Sequence, residues 1–100
     1  MKNLFNLTDK IALITGAGGL LGPKHAEAII EYGGRVILTD WHEDRVDMKA
    51  NELNKIYGNG KAIALHMDVT SKESIDGVLD TVYNKIGLHI NILINNAAKD

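Results

Sequence analysis

Cysteine is absent from the 100 residues, which rules out disulfide frameworks and thiolate chemistry. Proline occurs once, at Pro23, so no proline-rich linker divides the chain. No apolar run approaches the roughly 20 residues that a bilayer span requires. Residues 1–8 carry neither the apolar stretch nor the small-residue cleavage pattern of a signal peptide. Basic blocks are missing too: 11 Lys and Arg against 13 Asp and Glu give a formal net charge of −2. That balance speaks against a nucleic-acid or anionic-membrane surface and for a small-molecule partner. Hydrophobic and charged shares of 45% and 24% are those of an ordinary globular chain. The expectation is part or all of one cytoplasmic domain.

Short apolar runs alternate with longer amphipathic ones. Residues 10–15, 35–40, 61–67 and 90–95 are brief and apolar almost throughout, which suits strands covered on both faces of a parallel sheet. Between them lie segments with helical spacing. Ile75, Val78, Leu79, Val82 and Ile86 form one predicted stripe, entered through a capping box at Thr70 and Glu73 and closed by Gly87. Pro23 sits near the start of the first helix, and Gly33 and Gly34 end it. The middle helix, residues 43–57, has the weakest stripe: Val46, Leu53 and Ile56. The order β-α-β-α-β-α-β with right-handed crossovers predicts a three-layer α/β fold, a parallel sheet ordered 3-2-1-4 with helices on both faces. Binding residues then belong at the carboxyl ends of the strands, in the crevice between the first and fourth.

The sequence concentrates its unusual residues at those ends. Gly16, Gly18, Gly19 and Gly22 occupy the first turn, where a pyrophosphate can approach a helix N-terminus only if no Cβ intervenes. Leu20 and Leu21 complete that turn. Gly22 followed by Pro23, Lys24 and His25 excludes a Walker loop, and Leu21 breaks the Gly-x-Gly-x-x-Gly pattern. What fits is Gly16-x-x-Gly19-x-x-Gly22. Asp40 closes the second strand, 18 residues after Gly22. A carboxylate there accepts hydrogen bonds from ribose hydroxyls and repels a 2′-phosphate, favouring NAD over NADP. Arg45 and His42 lie near enough to keep NADP open. Trp41 is placed to flank the adenine or to pack half-exposed. Asp68 and Val69 follow the third strand, where Asp68 can meet the adenine edge, cap the turn at Thr70, or do both. Asn95, Asn96, Ala97 and Ala98 end the fourth strand, with small residues admitting the cofactor and amides tying strands together.

Other patterns carry less. Tyr57 and Lys61 have Tyr-x-x-x-Lys spacing, but Gly58 and Gly60 between them predict a turn at the wrong end of the sheet. His25, His42, His66 and His89 do not pair at metal-ligand spacing. Met48 and Met67 read as fillers of core gaps.

With these motifs in order, the sequence resembles the short-chain dehydrogenase/reductase family over essentially its whole length. Residues 15–22 look like the family's Thr-Gly-x-x-x-Gly-x-Gly turn, Asp40 like its NAD-type acid, Asp68-Val69 like its adenine contact, and Asn95-Asn96-Ala97-Ala98 like its Asn-Asn-Ala-Gly signature. Two positions depart from the pattern. Leu20 stands where the family has its middle glycine, and Ala98 where it has the last one. Both lean toward the longer, nucleotide-sugar-modifying branch, whereas Asn95-Asn96 and the Asp68-Val69-Thr70 helix entry match the shorter branch. The resemblance implies a Rossmann-like fold, of which this would be the N-terminal cofactor-binding half. It further implies hydride transfer between NAD(P) and an alcohol or ketone, a sugar-like substrate among the options, and a dimeric or tetrameric full-length protein. It places the catalytic Ser and Tyr-x-x-x-Lys after Asp100, so that no catalytic residue is assigned here. The alternatives are a nucleotide-sugar epimerase or dehydratase, and a non-catalytic nucleotide-binding module.

Overall fold

The computed structural model describes residues 6–19 and 21–96. Four strands, β1 (Ile11–Thr15), β2 (Arg35–Asp40), β3 (Ala62–His66) and β4 (Ile92–Asn95), form a parallel sheet in the order β3-β2-β1-β4. Helices α1 (Gly22–Glu31), α2 (Glu43–Tyr57) and α3 (Lys72–Asp80) alternate with them. The strand order and the alternation are those the sequence predicts.

Alternation along the strands sorts the core into two layers. Ala12, Ile14, Val36, Leu38 and Ala62 face one way and meet Ala26 and Ile30 of α1 and Val46, Ala50 and Leu53 of α2. Ile11, Leu13 and Ile37 face the other way and meet Val78, Val82 and Met67. Period-two side-chain direction thus distributes each apolar run to two helical layers. All five residues of β1 are buried, as expected for a central strand of such a sheet. The outer strand β4 is different. Its residues are alternately half-buried and exposed, and Leu93 is 66% exposed.

The helical stripes needed correction. Ile56 is exposed, and the inward face of α2 runs through Val46, Ala50 and Leu53, with Tyr57 packed beside it. Met48 is exposed as well, whereas Met67 is buried as expected. The third helix does not continue as one α-helix: residues Thr81–Ile86 widen into π-helical turns. The Thr81 hydroxyl donates to the Gly77 carbonyl at 2.9 Å just where the widening begins, a back-bond of the kind that loosens the helical ladder. Val78 and Val82 are buried, with Ile75 packed beside them, whereas Leu79 is partly exposed within α3 and Ile86 at the end of the wider turns. The N-cap also lies one residue later than the sequence suggests. The Ser71 hydroxyl accepts the Ser74 N–H at 3.1 Å. Thr70 is instead drawn onto Asp68, whose Oδ1 accepts its N–H and its hydroxyl at 2.9 and 2.6 Å. Thr70 thereby closes a turn on the Asp68 carboxylate just before the helix.

Asn54 reaches from α2 to the free side of β3, where its amide donates to the Ala62 carbonyl (2.9 Å) and accepts the Ala62 N–H (2.8 Å). One side chain therefore occupies both backbone groups that Ala62, at the start of this edge, would offer to another strand. Asn54→Ala is expected to lower unfolding free energy by about 1–3 kcal/mol through two partly buried groups left unmatched, measurable by urea denaturation. An unchanged urea midpoint would mean that water satisfies Ala62 equally well.

Candidate functional site

The site grows from the carboxyl end of β1. Gly16 takes φ 62°, in the left-handed region that favours glycine, and turns the chain out of the sheet. Ala17 is then fully buried, with its N–H donating to the Thr39 carbonyl at 2.9 Å. The next amide, of Gly18, donates to Asp40 Oδ2 at 2.9 Å. Two consecutive residues of the turn are thus pinned to the end of β2.

The glycines do different things. A Cβ on Gly18 would lie 2.8 Å from Arg45 Cβ and 2.9 Å from Asp40 Oδ2. A Cβ on Gly22 would lie 2.5 Å from Ala17 Cα, so this glycine lets α1 seat directly on the turn. Gly19 is not explained by packing: a Cβ there would meet only the Gly16 carbonyl, at an ordinary 3.5 Å, and the residue is exposed. Helix α1 follows with no side-chain cap at its N-terminus and no acid in its first turn. Its leading amides and dipole are therefore available to an anion beside Gly19.

Asp40 stands opposite. Its Oδ1 accepts the His42 N–H at 2.9 Å and faces the His42 ring Nδ1 at 3.1 Å. Burial pushes this carboxyl up, but the His42 and Gly18 amides and the His42 ring together outweigh it and hold it below its ordinary value of 3.8. Trp41 is 65% exposed and makes an edge contact with the His42 ring, with centroids 4.9 Å apart. His42, Glu43, Asp44 and Arg45 line a shallow depression at the start of α2.

The other predicted residues border the same strand ends. Met67 N–H donates to the Asp40 carbonyl at 3.0 Å, which brings Asp68 and the exposed Val69 past the end of β2. Thr70, through its hydroxyl and its amide, holds the Asp68 carboxyl below the usual range. The capping role weighed for Asp68 is therefore present. Asn95 Oδ1 accepts the Thr15 hydroxyl at 2.8 Å, and the Asn96 N–H donates back to that hydroxyl at 3.0 Å. Thr15, which opens the family-like turn, thus ties β4 to the glycines. Leu20 and Ala97 of the predicted site, and Ala98, lie outside the described residues. Tyr57 and Lys61 are at the opposite end of the sheet, around a turn with positive φ at Gly58 and Gly60. Arg35 is there too, donating to the Gly60 carbonyl at 3.0 Å. Among the described residues no group of His, Asp and Glu could hold a metal ion, and no helix is long and apolar enough to cross a membrane.

Two stability predictions come from this geometry. Gly22→Ala should cost about 1–3 kcal/mol or more, because backbone cannot yield to the new methyl; Gly19→Ala should stay within about 0.5 kcal/mol. Chemical denaturation of both variants separates the packing glycine from the open one. For Asp40 the sign follows from a folded pKa below the unfolded one. Its stabilisation is fully present above about pH 4–5 and is lost as pH falls through the depressed folded value. Asp40→Asn should therefore flatten the acid limb of a stability-versus-pH curve, and an unaltered limb would assign that limb to other carboxyls.

Comparison with known proteins matches this geometry to a family. The short chain dehydrogenase family matches residues 10–99. An NAD-dependent glycerol dehydrogenase of Listeria innocua is 39% identical over 93 residues, covering 93% of this chain and 34% of that protein. The structure of an NAD+-bound xylitol dehydrogenase superposes with a TM-score of 0.82 at 30% identity, over 93% of this chain and 35% of that one. The L-sorbose reductase of Gluconobacter frateurii, solved with NADPH and L-sorbose, superposes with a TM-score of 0.84 at 29% identity, over 94% and 35%. This chain spans about a third of the length of these relatives. A parallel sheet in the order β3-β2-β1-β4, a glycine turn pinned to an acid at the end of β2, and a family match over residues 10–99 agree: the chain belongs to the short-chain dehydrogenase family.

Proposed function

We propose that this chain binds a nicotinamide dinucleotide across the ends of β1 and β2, with NAD preferred to NADP. In this reading it serves a cytoplasmic oxidoreductase that moves hydride between the nicotinamide and an alcohol or ketone. The observation that carries the proposal is the Gly18–Asp40 hydrogen bond of 2.9 Å. It sets a carboxylate, the group suited to ribose hydroxyls, beside the one glycine of the turn whose missing Cβ packing leaves unexplained.

The residues present fit the group. Gly19 and the uncapped start of α1 would receive the pyrophosphate, with Gly16, Gly18, Leu20, Leu21 and Gly22 shaping the turn. Asp40 would read the adenosine ribose, and its negative charge would repel a 2′-phosphate. Trp41, Asp68 and Val69 would border the adenine, and Asn95 with Ala97 the nicotinamide side. The dinucleotide itself supplies the hydride chemistry, and this chain's residues supply its binding and orientation. Glycerol, xylitol and L-sorbose in the names of the matched relatives support a polyol or sugar-like substrate. The NADPH in one of them is the reason to test cofactor preference directly. Family resemblance further supports a dimer or tetramer for the whole enzyme.

Titration with NADH and NADPH is expected to show tighter NADH binding. Asp40→Ala should weaken NADH by about 10- to 100-fold, the worth of hydrogen bonds to a charged acceptor, and reduce or reverse the preference. Gly19→Ala should weaken both cofactors by about 10-fold or more without loss of fold, because its methyl enters the space assigned to the pyrophosphate. An Asp40→Ala variant that retains the preference would show the acid to be misassigned.

A further inference from the structure

Asp40 is a crowded acceptor. An ionised carboxylate offers about four lone-pair sites, and here Gly18 N–H takes one on Oδ2, while His42 N–H and the His42 ring address Oδ1. Two bare acceptors would repel at the 3.1 Å that separates Nδ1 from Oδ1. The ring nitrogen therefore carries the proton and donates it. Among the described residues that leaves about one site, on Oδ2, for a ribose that presents two hydroxyl donors, 2′ and 3′.

The three occupants are not equally fixed. Gly18 N–H belongs to a turn that Ala17 anchors in the core. His42 N–H stands at the entry of α2, where the His42 carbonyl accepts the Arg45 N–H at 3.1 Å. The imidazole, by contrast, is 43% exposed while the Asp40 side chain is 10% exposed. Its ring contact is the edge of Trp41, itself exposed. It can leave Oδ1 without opening the core.

We propose that the His42 imidazole is a stand-in for a ribose hydroxyl on Asp40, which must swing off Oδ1 before the carboxylate can accept both hydroxyls of a bound dinucleotide. The proposal rests on the dinucleotide reading given above. His42 is on this account a specificity-determining residue that works by competition: it lowers affinity for a ligand with both hydroxyls and leaves unaffected a ligand with one. Glu43, Asp44 and Arg45 share its depression, but hydrogen bonds to Asp40 come from His42 and Gly18.

The test is titration of the full chain with NADH and with its 2′-deoxyribose analogue, for the unsubstituted protein, His42→Ala and His42→Phe. Both variants should tighten NADH by about 3- to 10-fold, the worth of one competing hydrogen bond, and change the analogue by less than about 2-fold. Phenylalanine keeps a ring against Trp41 but has no donor, so agreement between the variants assigns the effect to the hydrogen bond. Weaker or unchanged NADH binding in both would overturn the proposal and make His42 a support for Asp40 or a bystander. Equal tightening of the analogue would overturn it as well, since the ring would then be only an obstacle. If the unsubstituted chain binds NADH and Asp40→Ala does not weaken it, the fault lies in the ribose-reading role of Asp40 and the competition has no object.

Discussion

Burial of β1 on both faces and along both edges is the constraint from which the site follows. Its five residues are enclosed by β2 on one side, β4 on the other and a helical layer above and below. A strand so enclosed must leave the sheet abruptly at its end, because any backbone that continued inward would have no partner for its polar groups. Gly16 makes that exit. The chain then climbs over the end of β2 and enters α1, which packs on the same face as α2, whereas α3 crosses the other face to reach β4, so the order reverses at β1. Crevices of this kind, outside the carboxyl ends of parallel strands where the order reverses, are where such sheets hold ligands.

Polar side chains complete what the strands cannot. The Thr39 hydroxyl, fully buried, donates to the Ile14 carbonyl at 2.9 Å. Asn91 Oδ1 accepts the Ile11 N–H at 2.9 Å, at the start of the β1–β4 pairing, and the Thr15–Asn95 bond closes the same pairing at its other end. β4 is thus held to β1 at both ends by an asparagine. The two margins of the sheet are treated differently: Asn54 blocks β3, whereas the face of β4 displays Leu93 to solvent.

Much of this was legible in the sequence because backbone constraints leave marks on residue type. The strand order, the glycine turn, Asp40 and the separation of Tyr57 and Lys61 from the crevice could be read from run length, glycine placement and strand ends. What could not be read was the work of Asn54, Asn91 and Ser74, whose amides and hydroxyl matter only through the register that places a backbone group opposite them. A polar residue in a half-apolar segment looks the same whether it faces water or fills a bond. The helical stripe over residues 75–86 failed for a related reason. Its periodicity assumes 3.6 residues per turn throughout, and the π-helical turns at Thr81–Ile86 change the period after Asp80, so Ile75, Val78 and Val82 reach the core and Ile86 does not.

The glycines sharpen the difference between a folding motif and a binding motif. Gly16, Gly18 and Gly22 are each required by the protein itself, through a left-handed φ, a carboxylate and α2 side chain within 3 Å, and the backbone of Ala17. Had all four turn glycines been so required, the turn would be explained by packing alone and would say nothing about a ligand. Gly19 breaks that account, because among the described residues the space where its side chain would stand is bounded only by a carbonyl at contact distance. The same reasoning applies to Asp40. A carboxylate serving only to brace the turn would be met by fixed backbone donors, yet among the described residues one of the partners of this one is an imidazole whose side chain is 43% exposed. Unspent capacity, in a glycine without a steric reason and an acid at a strand end, is where the fold stops accounting for its own residues, and it is there that the proposed dinucleotide is assigned.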